Sequence, residues 1–374
     1  MCGILGQVSR NIDRREFKSR LGLLHHRGPD DSGIFIDKEF GIGLGHTRLS
    51  IQDLSSAGHQ PMVDTTGNIV LVFNGEIYNF NELRVELEGK GYFFSGNSDT
   101  EVLMNLYIDL GKEMFARLNG IFAFAIWDKR NESLLIARDA LGVKPLYYTK
   151  MQTGSVAFAS EIKALLKLLP CNTELDVESI NRYLAFLWCP GSGTPLKSIE
   201  KLLPGEVIVI KDGSIVDRWS WYKLPIFNNP KKNINEEKAI SGIARYLRRA
   251  VHRQMVSDVP LGAFLSGGLD SSAIVAFAKE KNPNIRCFTI ETLGAQDRGN
   301  VDDLPYAKRV AKHLNVSLDV VTIDSHRMAS DLESMVIQLD EPLADPAALN
   351  VLYISKLARE QGIKVLLSGA GGDD

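Results

Sequence analysis

The stretch LGAFLSGGLDSSAIVAFAKEKN, Leu261–Asn282, sets a short apolar run, a glycine-rich turn and a helical pattern one after another. Around it the same order repeats. RCFTIET (286–292) is followed by DLPYAKRVAKHLN (303–315), and SLDVVTI (317–323) by two helical stretches, before IKVLLS (363–368) closes the series. Strands alternating with helices from Pro260 onward predict right-handed crossovers and an α/β parallel sheet covered on both faces. Just upstream, Ile243, Leu247, Val251 and Met255 recur at helical spacing, the apolar stripe of an amphipathic helix.

Before that helix, KLPIFNNPKKNINEEKAI (223–240) carries Pro, Asn and mixed charge without apolar periodicity, so a linker is placed at residues 219–237. It separates a first domain at 2–218 from a second at 238–374. The first half has a different texture. GIGLGHTRLSIQDL (41–54), NIVLVFNGEIYN (68–79), GIFAFAIWD (120–128), SLLIARD (133–139) and PGEVIVIKDGSIVDRW (204–219) are rich in β-branched and aromatic residues. Helical patterns interrupt them at NELRVELEGKG (81–91) and SDTEVLMNLYIDLG (98–111). Such text predicts stacked antiparallel sheets with helices outside.

At 374 residues, two domains are the default expectation. Hydrophobic residues make up 44% and charged residues 24%, enough for a core in each half. A net charge of −3 offers no general attraction for nucleic acid or membrane, and no apolar run is long enough to span a bilayer. The four cysteines, Cys2, Cys171, Cys189 and Cys287, are scattered without a CxxC pair. That argues against a disulfide framework or a zinc site and for a reducing cytoplasm.

Two groups of residues carry chemistry. The first begins at Cys2. Removal of Met1 would leave the thiol beside a free α-amine, a nucleophile with its own base, able to pass through a thioester that water hydrolyses. Asn74 and Gly75, in FNGEIYN, offer an amide and a backbone N–H for the oxyanion, although Asn-Gly also suits a tight hairpin. An α-amino-acid substrate needs a cation and an anion. Arg48 suits its carboxylate and Asp99 its ammonium, although Asp99 also suits a helix N-cap. His46, a lone strand histidine, is read as structural.

The second group is FLSGGLDSS (264–272). Gly267 and Gly268 let the backbone point N–H groups at one spot before a helix N-terminus, an anion nest to which Ser266, Ser271 and Ser272 add hydroxyls. A plain strand-to-helix connection is the alternative. Without a GK[ST] ending the loop is no Walker loop. Asp270 suits a phosphate only through a divalent cation, and the second acidic glycine-rich loop, SGAGGDD (368–374), would emerge at the same sheet edge. Asp270 and Asp373 would then share Mg²⁺.

MCGILG (1–6), HHRGPDDSG (25–33), GHTRLSIQDLSSAGHQPM (45–62), VFNGEIYN (72–79), SDTEVL (98–103) and ARDALGVKPLYY (137–148) resemble the glutaminase domain of the asparagine synthetases, class II glutamine amidotransferases with an N-terminal nucleophile. The likeness covers residue 2 to about residue 210. It implies an α+β four-layer αββα sandwich. Cys2 resembles the nucleophile, Asn74 and Gly75 the oxyanion hole. Arg48, Leu49, Ile51, Asn74, Gly75, Glu76 and Asp99 look like the glutamine site. FLSGGLDSS and SGAGGDD are similar to the pyrophosphate loops of the synthetase domain, from about Ala239. There the resemblance implies ATP and Mg²⁺ as cofactors, with Leu265, Ser266, Gly267, Gly268, Asp270, Ser271, Ser272, Thr289, Ser368 and Gly369 at ATP.

It implies an acyl-adenylate attacked by ammonia that arrives through an internal tunnel. L-Glutamine, L-aspartate and ATP are the implied small-molecule partners, with a homodimer compatible and no nucleic acid or membrane involved. LDEPLADPAALN (339–350) looks like a segment near the acid substrate, while also suiting a Pro-rich turn. Ala370 and Asp374 depart from the family's usual carboxylate and Glu, which opens amidation of another carboxylic acid. The family's domain also continues past Asp374, so the adenylating domain is expected to be truncated here, and a glutaminase-only fragment is a further reading.

Overall fold

The computed structural model describes residues 1–151, 154–170, 173–225, 235–293, 303–345 and 347–371. The chain forms two units, Met1–Ile226 with Asp340–Leu343, and Phe227–Leu339 with Ala344–Asp374. Residues 226–234 of the linker expected at 219–237 lie outside the described residues.

In the first unit the strands are β1 (Gly3–Val8), β2 (Asp31–Asp37), β3 (Ile42–Arg48), β4 (Met62–Val63), β5 (Ile69–Ile77), β6 (Gly120–Asp128), β7 (Ser133–Arg138), β8 (Tyr147–Lys150), β9 (Val156–Ala159), β10 (Ile199–Lys201), β11 (Glu206–Lys211) and β12 (Ser214–Ser220). The helices are α1 (Arg14–Gly22), α2 (Phe80–Gly89), α3 (Asp99–Leu110), α4 (Lys163–Leu166) and α5 (Val177–Phe186). The strands make two six-stranded sheets, β10-β8-β9-β1-β3-β2 and β12-β11-β7-β6-β5-β4. Every pairing in them is antiparallel.

The period of two along each strand sorts its side chains into layers. On β5, Val70 and Val72 join Ile4, Leu44, Ala125 and Phe158 between the sheets. Ile69, Leu71 and Phe73 turn the other way, onto Leu83, Leu87, Val102 and Leu106 of α2 and α3. On the far side Leu5 packs with Phe17 and Leu21 of α1 and Leu165 of α4. Three apolar layers between four structural ones make this an αββα sandwich. The cysteine at the head of β1 therefore starts inside a central strand, flanked by β9 and β3.

The second unit holds α6 (Glu236–Gln254), β13 (Leu261–Phe264), α7 (Leu269–Lys281), β14 (Arg286–Thr292), α8 (Leu304–Leu314), β15 (Ser317–Ile323), α9 (Ser325–Gln338), α10 (Ala347–Glu360) and β16 (Val365–Leu367). Its sheet, β15-β14-β13-β16, is parallel throughout. Val251, Val275, Ala307 and Ala311 from α6, α7 and α8 cover one face. Ile354, Ala358, Leu349 and Tyr353 of α10 cover the other. On α6 the expected stripe holds at Leu247, Val251 and Met255, but Ile243 is 67% exposed.

Candidate active site

β1 delivers Cys2 to one end of the first unit. Its thiol accepts the backbone N–H of Leu49 at 3.4 Å, just beyond the end of β3. The Cys2 carbonyl accepts Nε of Arg27 at 2.9 Å, and Nη1 of Arg27 in turn meets Glu161 at 2.8 Å. Burial pushes the thiol up from its ordinary range, while the amino terminus beside it pulls the other way. Burial holds the α-amine of Met1, the terminus as it stands before any trimming, down at about 5, with Cys2, Lys144, Arg27 and Glu76 around it.

Asn74 and Gly75 do not form a hairpin turn. They lie inside β5, paired with Ala123 and Phe122 of β6. Asn74 is 1% exposed, and neither its amide nitrogen nor its amide oxygen has a hydrogen-bond partner among the described residues. A buried amide left open is costly unless something completes it, so the site fits a bound oxygen. Gly75 is required from behind: a Cβ there would stand 2.3 Å from the Ile121 carbonyl oxygen. The glycine lets β6 press against the strand carrying the amide.

Asp99 is not the helix cap. Ser98 caps α3, its hydroxyl accepting the Glu101 N–H at 3.3 Å. Asp99 follows it, buried, its carboxylate accepting the Ile77 N–H at the end of β5 at 2.9 Å. Burial pushes its carboxyl up to about 6. Glu76, on the same strand, is raised well above the carboxylate range by burial and by Asp99, with Lys144 opposing. The side-chain amide of Gln52 donates to Glu76. Two adjacent acids that resist ionising suit a cationic ammonium, which restores their charge.

Arg48 is buried, and its guanidinium donates to the carbonyls of Ser55 at 3.0 Å, Gln52 at 3.3 Å and Asp53. It therefore shapes the loop after β3, where Ile51 is half-buried. His46 donates its Nε2–H to the Phe73 carbonyl oxygen at 3.0 Å, and burial lowers its pKa to about 3, so it is neutral and structural. Arg27, Gln52, Lys144 and Glu161 were given no role from the sequence. Arg27, Gln52 and Lys144 fall within HHRGPDDSG, GHTRLSIQDLSSAGHQPM and ARDALGVKPLYY, whereas Glu161 lies in no such motif.

In the second unit, β13 runs into the glycine loop as expected. Leu265 donates its N–H to the Phe288 carbonyl at 2.9 Å. Gly267 has φ +86°, and a Cβ there would meet the Tyr306 backbone at 2.4 Å, so only glycine fits under α8. Gly268 caps α7 without a side-chain acceptor for the first-turn N–H groups. Those orphan donors fit a polyphosphate. Ser271 and Ser272 donate their hydroxyls to the Gly268 carbonyl at 3.3 and 2.6 Å, and Ser266 pairs with Ser271 at 3.0 Å. Thr289 is buried on β14.

After β16 come Ser368 and Gly369. A Cβ on Gly369 would lie 2.8 Å from the Ser271 nitrogen and 3.2 Å from Asp270. The two glycine loops thus meet at the carboxyl edge of one parallel sheet, the position where open α/β sheets bind ligands. Asp373 lies outside the described residues, and among those described no cluster of three acids, histidines or cysteines is placed to hold a metal ion. ATP bound at these loops would supply an adenylyl group to activate a carboxylate. The chain's part would be to hold the phosphates on backbone N–H groups.

Comparison with known proteins agrees with this division. Residues 1–222 match the family described as glutamine amidotransferase domain, and residues 242–374 match asparagine synthase. The chain belongs to the glutamine-hydrolysing asparagine synthetase family. It is 37% identical over its whole length to asparagine synthetase [glutamine-hydrolyzing] 1 of Bacillus subtilis, covering 58% of that protein. A putative asparagine synthetase of Methanocaldococcus jannaschii is 33% identical, with 100% of this chain and 75% of the relative covered. Amidase chyE of Penicillium rubens is 34% identical, again over all of this chain and 58% of the relative. The chain thus spans about three-fifths of the length of the first of these family members. Among the described residues no helix is long and apolar enough to cross a membrane.

Proposed function

We propose that this member of the family hydrolyses L-glutamine at Cys2 and uses the ammonia to amidate a carboxylic acid activated by ATP, with L-aspartate as the acid. The observation that carries the reading is the buried Asn74 amide on β5, a strand of the sheet facing that of Cys2, without a hydrogen-bond partner among the described residues. The thiolate attacks the side-chain carbonyl of glutamine. Asn74 and the Gly75 N–H receive the oxyanion, and the α-amine exposed by loss of Met1 carries the proton to departing ammonia. Water then hydrolyses the thioester to glutamate. Asp99 and Glu76 hold the substrate's ammonium, and Arg48 anchors the loop and the α-carboxylate.

In the second unit the Ser266–Ser272 loop and Ser368–Gly369 would hold ATP, and Asp270 and Asp373 would hold Mg²⁺, which would supply positive charge to offset the phosphates. Free thiols at Cys2, Cys189 and Cys287 suit a reducing cytoplasm. Ala370 favours a second reading, in which the acceptor is another acid, because it brings no carboxylate to the second glycine loop. The relatives named amidase point the same way.

Glutamate and pyrophosphate release, assayed with glutamine, ATP and aspartate, tests the proposal. Pyrophosphate that depends on aspartate supports the first acceptor. Glutamate production without any acid-dependent pyrophosphate release contradicts the synthetase half.

A further inference from the structure

The segment Asp340–Leu343 lies between α9 and α10 in sequence but belongs with the first unit. The carboxylate of Asp340 accepts the backbone N–H of Ile162 and that of Lys163, the latter at 3.2 Å. These groups open α4, where no side chain of the helix's own cap receives them. One step earlier, Ser160 is tied to β1. Its hydroxyl accepts the Ile4 N–H, and its own N–H meets the Ile4 carbonyl, both at 2.9 Å. The turn Ser160–Lys163 is therefore pinned at one end to the nucleophile's strand and at the other to Asp340.

Glu161 stands in the middle of that turn, 5% exposed. Arg27 bridges its carboxylate at 2.8 Å to the Cys2 carbonyl at 2.9 Å. His26 and Lys163 also face Glu161, each at 3.1 Å. Glu341 fixes the same segment a second time, pairing with Lys201 of β10 at 3.0 Å.

We infer that Asp340 is a positioning residue for glutamine hydrolysis, acting through the Ser160–Lys163 turn, Glu161 and Arg27 on the backbone of Cys2. The inference rests on the glutaminase reading above. A residue from the second half of the sequence thereby holds the attacking group of the first. Without the carboxylate, two N–H groups lose their acceptor and Glu161 its fixed backbone. Arg27 then no longer holds the nucleophile in one place, and attack geometry tolerates little displacement. Asp99, Glu76 and Arg48, which would bind the substrate, stand on other elements.

The test compares Asp340→Ala, Asp340→Asn, Glu161→Gln and the Asp340→Ala/Glu161→Gln pair in the full chain. Glutamine kcat and KM and the rate of Cys2 alkylation are the readouts. Asp340→Ala is expected to lower kcat and the alkylation rate roughly tenfold with KM within about twofold. Asp340→Asn keeps one acceptor oxygen and falls in between. The pair is expected to lose little more than Glu161→Gln alone, because both act in one path. If the alanine variant does not fold, the asparagine variant carries the same expectation at about threefold. Wild-type kcat in a folded variant, a KM effect without a kcat effect, or additive losses in the pair overturn the inference. A wild-type chain inert toward glutamine overturns the glutaminase reading instead, and this inference with it.

Discussion

At the scale of single residues, the decisive feature is a polar group with nothing to bind. Asn74 sits 1% exposed with both amide atoms unpaired among the described residues, a cost that the proposed substrate would offset on binding. Asn74→Ala is therefore expected to cost about 10²–10³ in kcat, the usual loss for one oxyanion donor, with little change in thermal stability. Steady-state kinetics and a melting curve check both. Asp99 gives a pH signature. Its carboxyl, pushed up to about 6 by burial, must be ionised to hold an ammonium. Glutamine binding to a Cys2→Ala variant should weaken as pH falls through about 6, and a calorimetric titration that stays flat there contradicts the role. The sign for stability is opposite. Folded protein keeps this proton after the unfolded chain has released it near about 4. The group's contribution is therefore full below about 4 and lost as pH rises through about 6.

Secondary-structure elements place these residues more firmly than local sequence suggested. Asn74-Gly75 has the composition of a hairpin turn, yet it lies mid-strand, because Val70, Val72, Leu71 and Phe73 bury both faces of β5 and keep it extended past the glycine. Tertiary burial outweighs turn propensity here. Gly75→Ala is expected to lose about 1–3 kcal/mol of stability through the clash with the Ile121 carbonyl, read as a lower Tm, along with activity. A stable, active alanine variant would contradict the packing account. The cap of α3 was misleading in the same way. Ser98 and Asp99 are adjacent N-cap candidates, and the strand end at Ile77 draws Asp99 inward, leaving the cap to Ser98.

Across the whole molecule, periodicity carried the fold. Alternating apolar residues on β5 and β6 specify layers on both sides of a sheet, and the strand–helix order after Pro260 specifies a parallel one. The proposed first-unit site was legible at Cys2, Asn74 and Asp99, because each pairs an unusual residue type with a chemical need. Arg27, Lys144 and Glu161 were not, since a buried charge network is assembled from distant strands and loops and leaves no local pattern. Arg48 was legible as a charged residue, but not its three carbonyl partners in the following loop.

The account stands on Cys2 becoming the first residue and attacking glutamine. Treating active protein with a glutamine-mimicking diazo-ketone, then mapping its peptides by mass spectrometry, tests this most directly. One adduct on Cys2 in a chain lacking Met1, with glutamine hydrolysis lost in proportion, is the predicted result. Active enzyme that retains Met1, or an adduct elsewhere that abolishes hydrolysis while Cys2 stays free, would contradict it.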